Sequence, residues 1–169
     1  MVAVSENIKI NIFYTILYNL NSVEVINLKQ ILKLLVLFVF GGTCYYSIEM
    51  LWRGYSHIAM FFLGGLCFLF VGWINNNYFT SKNNFLTRLL VSSLVITGME
   101  LMFGMIFNMR LGLNIWDYGS MRFNLMGQIS IGYSILWFFL SLPIIFSYDY
   151  LNYWIFGEEK PNYKIIELK

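Results

Sequence analysis

The chain has 169 residues, of which 59% are hydrophobic, 20% aromatic and only 12% charged. So few charges cannot cover a soluble surface at this length, whereas lipid accepts Leu, Ile, Phe and Met on the outside; the composition is that of a single membrane-embedded domain. The formal net charge is only +2 and the 11 Lys and Arg residues form no basic block, which excludes nucleic acid as a partner.

Residues 1–28 have no basic leader running into an apolar core with a small-residue cleavage site, so they are expected to stay in the mature protein. Phe13, Ile16, Leu17 and Leu20 recur there at helical spacing, opposite Asn11, Thr15 and Asn19. That spacing predicts an amphipathic helix lying on the membrane surface or against the bundle.

Residues 29–157 read as a transmembrane domain. A membrane-crossing helix needs about 17 to 25 residues with little charge, and four runs meet that test. The first is "LKLLVLFVFGGTCYYSIEMLW", residues 32–52, in which Lys33 can snorkel to the interface. The second, residues 58–74, and the fourth, residues 124–148, carry no charge, and Pro143 is expected to kink the fourth. The third, residues 89–109, holds Glu100 near its centre. Residues 158–169 form a tail. Period-two alternation is absent, and only helices and closed barrels satisfy their backbone in lipid, so the fold class is all-α: a polytopic four-transmembrane-helix bundle.

Eight of the 11 basic residues fall on the side of the two termini and the 75–88 loop, leaving Arg53, Arg110 and Arg122 on the other. Both termini are therefore expected to face the cytoplasm of a bacterial cell membrane, with lipid as the surrounding partner. The stretch "NIWDYGSMRFNLMGQ", residues 114–128, then faces outward, with Trp116 and Tyr118 expected in the headgroup layer.

On the third helix Ser93, Thr97, Glu100, Gly104 and Asn108 are spaced by four, three, four and four residues, which puts them on one face. The fourth run answers with Gly127, Ser130, Ser134, Trp137 and Ser141, and the first with Gly42, Tyr45 or Tyr46, Glu49 and Arg53. For the small residues, close helix packing accounts for the pattern. Glu100 demands more, since an ionisable group at mid-bilayer costs about 2.5 to 3.5 kcal/mol unless it faces inward to a partner or to water. One reading is a buried salt bridge that fixes the fold. The other is a polar pocket, lined by Glu49, Arg53, Glu100, Asn108, Arg110, Asp117, Arg122, Asn124 and Gln128. In that reading residues 114–128 form a lid: Asp117 and Arg122 pair across the turn, and the amides of Asn124 and Gln128 point toward Glu100. The alternative is a well-capped connection between two helices.

Cys44 and Cys67 lie in apolar runs without metal or redox spacing, and both read as buried thiols. His57 stands alone at a helix end, and Met99, Met102, Met105 and Met109 read as apolar filling. No metal or cofactor is expected. The chain contains no G-x-x-x-x-G-K-[ST], HExxH or G-x-S-x-G, so any ATP chemistry belongs to another chain.

Glu49, Glu100, "WDY" at Trp116–Tyr118, "FN" at Phe123–Asn124, Gly127 and the Ser134 and Trp137 of "YSILW" together resemble the CmpB-like family of small bacterial membrane proteins, labelled type IV ABC-transporter permeases. The resemblance runs over residues 32–147. It departs at "RGYSHIAMFFLGG" and at Gln128, where family members carry a Gly-Pro-rich stretch and an arginine. It implies a transporter or channel subunit working as an oligomer, with any ATPase subunit on another chain; since alternating access normally needs two related halves, a homodimer is the simplest expectation for a four-helix chain. Two alternatives are an intramembrane enzyme acting on a lipid or isoprenoid, with Glu100 or Asp117 as acid or base, and a non-catalytic holin-like or regulatory module. The absence of catalytic motifs favours a non-enzyme.

Overall fold

The computed structural model describes the backbone of residues 2–79 and 85–163, and the side chains of residues 27–79 and 85–163. Helix α1 is Val2–Arg53, α2 is Ile58–Tyr78 and α3 is Phe85–Phe103, continued by a π-helical segment, Gly104–Arg110. A two-strand ribbon, β1 at Asn124–Leu125 and β2 at Ile129–Ser130, precedes α4 at Ile131–Phe156. Among the described residues, four stretches are long and apolar enough to cross a membrane: Asn27–Arg53, Ile58–Tyr78, Phe85–Arg110 and Ile131–Phe156. The chain is thus an all-α polytopic membrane protein.

The chain divides into two units, Met1–Val36 and Leu37–Lys169. The first is backbone helix from Val2 onward. The face presented by Phe13, Ile16, Leu17 and Leu20, and with it the amphipathic reading, lies outside the described residues.

The second unit is held together by close approach of backbones as well as by apolar packing. A Cβ on Gly41 of α1 would lie 2.3 Å from Phe68 Cβ, and one on Gly64 of α2 would lie 2.3 Å from Tyr45 Cβ. The Gly-Gly pairs of the two helices are therefore where α1 and α2 meet, as small residues permit in lipid. Met60, Leu63, Val71, Ile96 and Ile145 fill the interior. Large apolar side chains such as Leu94, Ile135 and Phe139 point outward from mid-span, where hydrocarbon solvates them.

The end of α1, the start of α2 and both ends of α4 have local causes. Gly54, at φ 76°, stops α1. The His57 imidazole caps α2 by accepting from Ala59 N at 3.1 Å, so this histidine is a capping residue. Ser130 Oγ caps α4, accepting from Tyr133 N, and Gly157 closes it in the left-handed region. Pro143 lies inside α4.

The fourth helix starts at Ile131, seven residues later than the apolar run suggests from Asn124. Asn124 to Ser130 instead folds back on itself, pairing Asn124 with Ser130 and Leu125 with Ile129. Positive φ at Phe123, Met126 and Gly127 is incompatible with a helix there. Cys67 is buried as expected, whereas Cys44 is exposed.

Candidate functional site

The one-sided pattern of α3 is realised as a continuous ladder of contacts. Ser93 Oγ donates to the Ser134 carbonyl at 2.7 Å, and Thr97 Oγ1 donates to Ser134 Oγ at 3.2 Å. One turn on, Glu100 is 1% exposed. Its Oε2 accepts from Trp137 Nε1 of α4 at 2.9 Å, and its Oε1 accepts from the Tyr118 hydroxyl at 2.8 Å. Among the described residues no basic side chain pairs with it. Gly104 leaves room for Gln128, whose Oε1 would lie 2.5 Å from a Cβ at that position.

Asn108 ends the ladder. Its Nδ2 donates to Gln128 Oε1 at 2.8 Å and to the Trp116 carbonyl at 2.9 Å, while its Oδ1 accepts from Ile115 N at 2.7 Å. All these partners lie in the connection between α3 and α4, so one buried amide ties that connection down. The π-helical turn brings Asn108 to it, with Leu111 N bonded to Ile106 O and Leu113 N to Phe107 O.

The connection folds inward as a cover. Trp116, read from sequence as a headgroup anchor, is instead 6% exposed, and its Nε1 donates to the Gln128 carbonyl at 2.9 Å. An indole whose N–H finds a partner gains more from burial than from an interfacial position. Tyr118 is half-buried, stacked on Tyr133 with centroids 4.3 Å apart. Burial, and then the neighbouring Glu100 carboxylate, hold its hydroxyl well above the ordinary tyrosine range, so it stays a donor.

The remaining sequence candidates fall into three groups. Glu49 and Arg53 pair at 2.6 Å; Ser56 Oγ donates to Glu49 Oε2, and Arg53 also donates to the Ile115 carbonyl, fastening the cover to the end of α1. Asp117 and Asn124 build the turn. Asp117 Oδ1 accepts from Gly119 N, not from Arg122, and Asn124 Nδ2 donates to the carbonyls of Met121 and Gly119 instead of reaching toward Glu100. A short polar side chain next to free backbone groups satisfies those first. Arg110 and Arg122 are exposed and make no ion pair among the described residues.

Glu100 also lines a cavity of about 250 Å³ enclosed by α1, α2, α3 and α4. Apart from Glu100, the Tyr45 ring, Ser147 and the two thiols, its walls are apolar, which differs from the polar pocket read from the stripes. Tyr45 and Trp137 stand 5.8 Å apart, centroid to centroid, beside the carboxyl. Tyr118 did not stand out as a partner of Glu100 in the sequence, because it lies in the connection and shares no helical period with it.

A second polar cluster, not foreseen, lies at the other end of the bundle. Arg88 Nε donates to Asn75 Oδ1 at 2.9 Å, Asn75 Nδ2 donates to Ser92 Oγ at 2.9 Å, and an Arg88 amino group lies 3.9 Å from Asp149. The Tyr163 hydroxyl donates to Asp149; burial and that hydrogen bond raise Tyr163 above its ordinary range. The available signal was Asn75 and Arg88 at facing ends of two spans joined by a short loop.

A helical membrane protein of four spans, with a buried carboxyl held under an inward-folded connection, is the class that the fold and these contacts define. Within that class, the chain belongs to the family described as "Putative ABC-transporter type IV", which matches residues 36–166. No curated protein and no solved structure matches the chain.

Proposed function

We propose that this chain is the membrane-spanning subunit of a transporter, and that Glu100 is the polar anchor of its substrate path. The observation that carries this reading is a mid-span carboxyl, 1% exposed, that lines a cavity and, among the described residues, is held by the neutral donors Tyr118 and Trp137. A group that serves structure alone is better replaced by an apolar one, because burying an ionisable side chain without a counter-charge is costly. The inward-folded connection closes the site on one side. Glu49, Arg53, Asn108 and Gln128 hold that closure, while Asp117 and Asn124 shape its turn.

Membership of an ABC-transporter family supports a partner chain that hydrolyses ATP, and these 169 residues carry no nucleotide-binding motif of their own. Four spans supply half of what alternating access normally requires, so the working unit is a homodimer in the bacterial cytoplasmic membrane, with both termini inside.

The test is co-purification in mild detergent from the native host, followed by native mass spectrometry and an ATPase assay. Two copies of this chain with an ATPase whose hydrolysis changes on Glu100→Gln are the expected result. A chain with no ATPase, or with one indifferent to Glu100→Gln, overturns the reading.

A further inference from the structure

The cavity beside Glu100 is not sealed from the surroundings of the bundle. Its deep end is made of buried residues, Leu63, Cys67, Ile96 and Trp137. Its rim is made of exposed ones: Phe40, Cys44 and Ile48 on α1, and Pro143 on α4. These rim residues sit within two membrane-crossing stretches, so the opening between α1 and α4 faces hydrocarbon and not water. Whatever enters by this route is already dissolved in the bilayer.

The chemistry of the deep end selects among such molecules. Glu100 has two neutral donors, and a carboxylate retains further acceptor sites. No Lys or Arg lines the cavity, and the nearby Arg53 pairs with Glu49 and donates to the Ile115 carbonyl, so the described residues offer no cation here for an anionic ligand. An inorganic cation needs several oxygen ligands to replace its water, and the described residues contain no cluster of three or more His, Cys, Asp or Glu. A weakly hydrated organic cation needs none. The rings of Tyr45 and Trp137 beside the carboxyl, and the Phe40 and Phe68 pair 5.5 Å apart in the cavity wall, supply the aromatic faces that attract such a cation. A space of about 250 Å³ is below the range of drug-sized sites, so it holds a headgroup while an apolar body extends through the lateral opening.

We infer that this cleft binds an amphipathic organic ammonium, which enters from the hydrocarbon phase between α1 and α4 and sets its charged end against Glu100. The inference rests on Glu100 being the anchor of a substrate path, but binding is measurable without transport.

The experiment uses the full chain in nanodiscs of zwitterionic lipid, with empty nanodiscs as the partition control, and calorimetric titration of three probes of equal chain length: octyltrimethylammonium, octanol and octanoate. Saturable binding of the ammonium alone is expected, weakened about tenfold or more by Glu100→Gln. Should that variant fail to fold, Cys44→Trp fills the rim at an exposed position without changing charge, and the same loss is expected from it. Equal binding of octanol or octanoate overturns the assignment, as does ammonium binding that survives both substitutions. Ammonium binding lost with Glu100→Gln in a chain that recruits no ATPase upholds the site and removes the ATP-driven transporter. A Glu100-sensitive ATPase partner without ammonium binding removes the substrate class and keeps the transporter.

Discussion

The Tyr118 hydroxyl lies 2.8 Å from Glu100 Oε1, so the α3–α4 connection donates directly to a carboxyl in the middle of a span. Tyr118→Phe removes this donor and keeps the stacking on Tyr133. A loss of about 1–3 kcal/mol is expected, the usual effect of deleting a hydrogen bond to a buried charged or polar acceptor. Thermal unfolding in detergent reads it. In a double-mutant cycle the effect of Tyr118→Phe should largely disappear when Glu100→Leu is already present, and full additivity would show that the two groups do not interact.

Asn108 satisfies three partners at once, and Ala offers none of them. Asn108→Ala should cost about 2–4 kcal/mol, as more than one buried group is left unpaired. Amide hydrogen exchange should rise across residues 111–130 and remain unchanged in α2. Arg122→Ala, at an exposed side chain outside this network, serves as the control and should stay within about 0.5 kcal/mol of the parent.

Two glycines should respond with opposite signs. Gly127 has φ 69°, and a Cβ there would lie 2.5 Å from Asp117 Oδ1, so Gly127→Ala should destabilise by about 1–3 kcal/mol. Gly132, in the first turn of α4, faces open space. Gly132→Ala should therefore stabilise by up to about 1 kcal/mol. Paired melting curves check both, and a common sign would contradict the backbone geometry.

At the opposite end of the bundle, Arg88→Ala strands Asn75 and the partly buried Asp149. About 3 kcal/mol of destabilisation is expected, with Arg88→Lys intermediate because an ammonium cannot reproduce the fork between Asn75 and Asp149. Chemical denaturation of all three proteins in one detergent gives the ranking.

Topology is checked by labelling single cysteines in a variant lacking Cys44 and Cys67. The distribution of basic residues predicts that a membrane-impermeant maleimide added to whole cells modifies Ser120→Cys and spares Lys160→Cys. The reverse pattern would invert the orientation.

The four spans were legible because they depend on a sum, the near-absence of charge over a fixed length, and lipid imposes that sum on every helix. The ladder on α3 was legible because helical spacing projects Ser93, Thr97, Glu100 and Asn108 onto one side whatever they meet there. What they meet was hidden. Trp116 suits a membrane interface and a core about equally by composition, and only the Asn108 and Gln128 contacts decide between them. The early start assigned to α4 has a related origin. Leu125, Met126 and Ile129 raise the hydropathy of a segment whose backbone turns at Phe123 and Met126, and hydropathy carries no information about φ. Arg88, Asn75 and Asp149 come from three helices, so no period links them.

The π-helical segment at Gly104–Arg110 gives residue number itself a structural role. Relaxing this turn to an ordinary α-helix, with no residue deleted, would rotate everything beyond it by about 100°. Hydropathy and composition would not change, yet Asn108 would swing away from Trp116 and Gln128, and Tyr118 would lose its approach to Glu100. The cover is thus aimed by the phase of a helix, and a change that merely regularised this turn would disable it without removing any of the side chains that make its contacts.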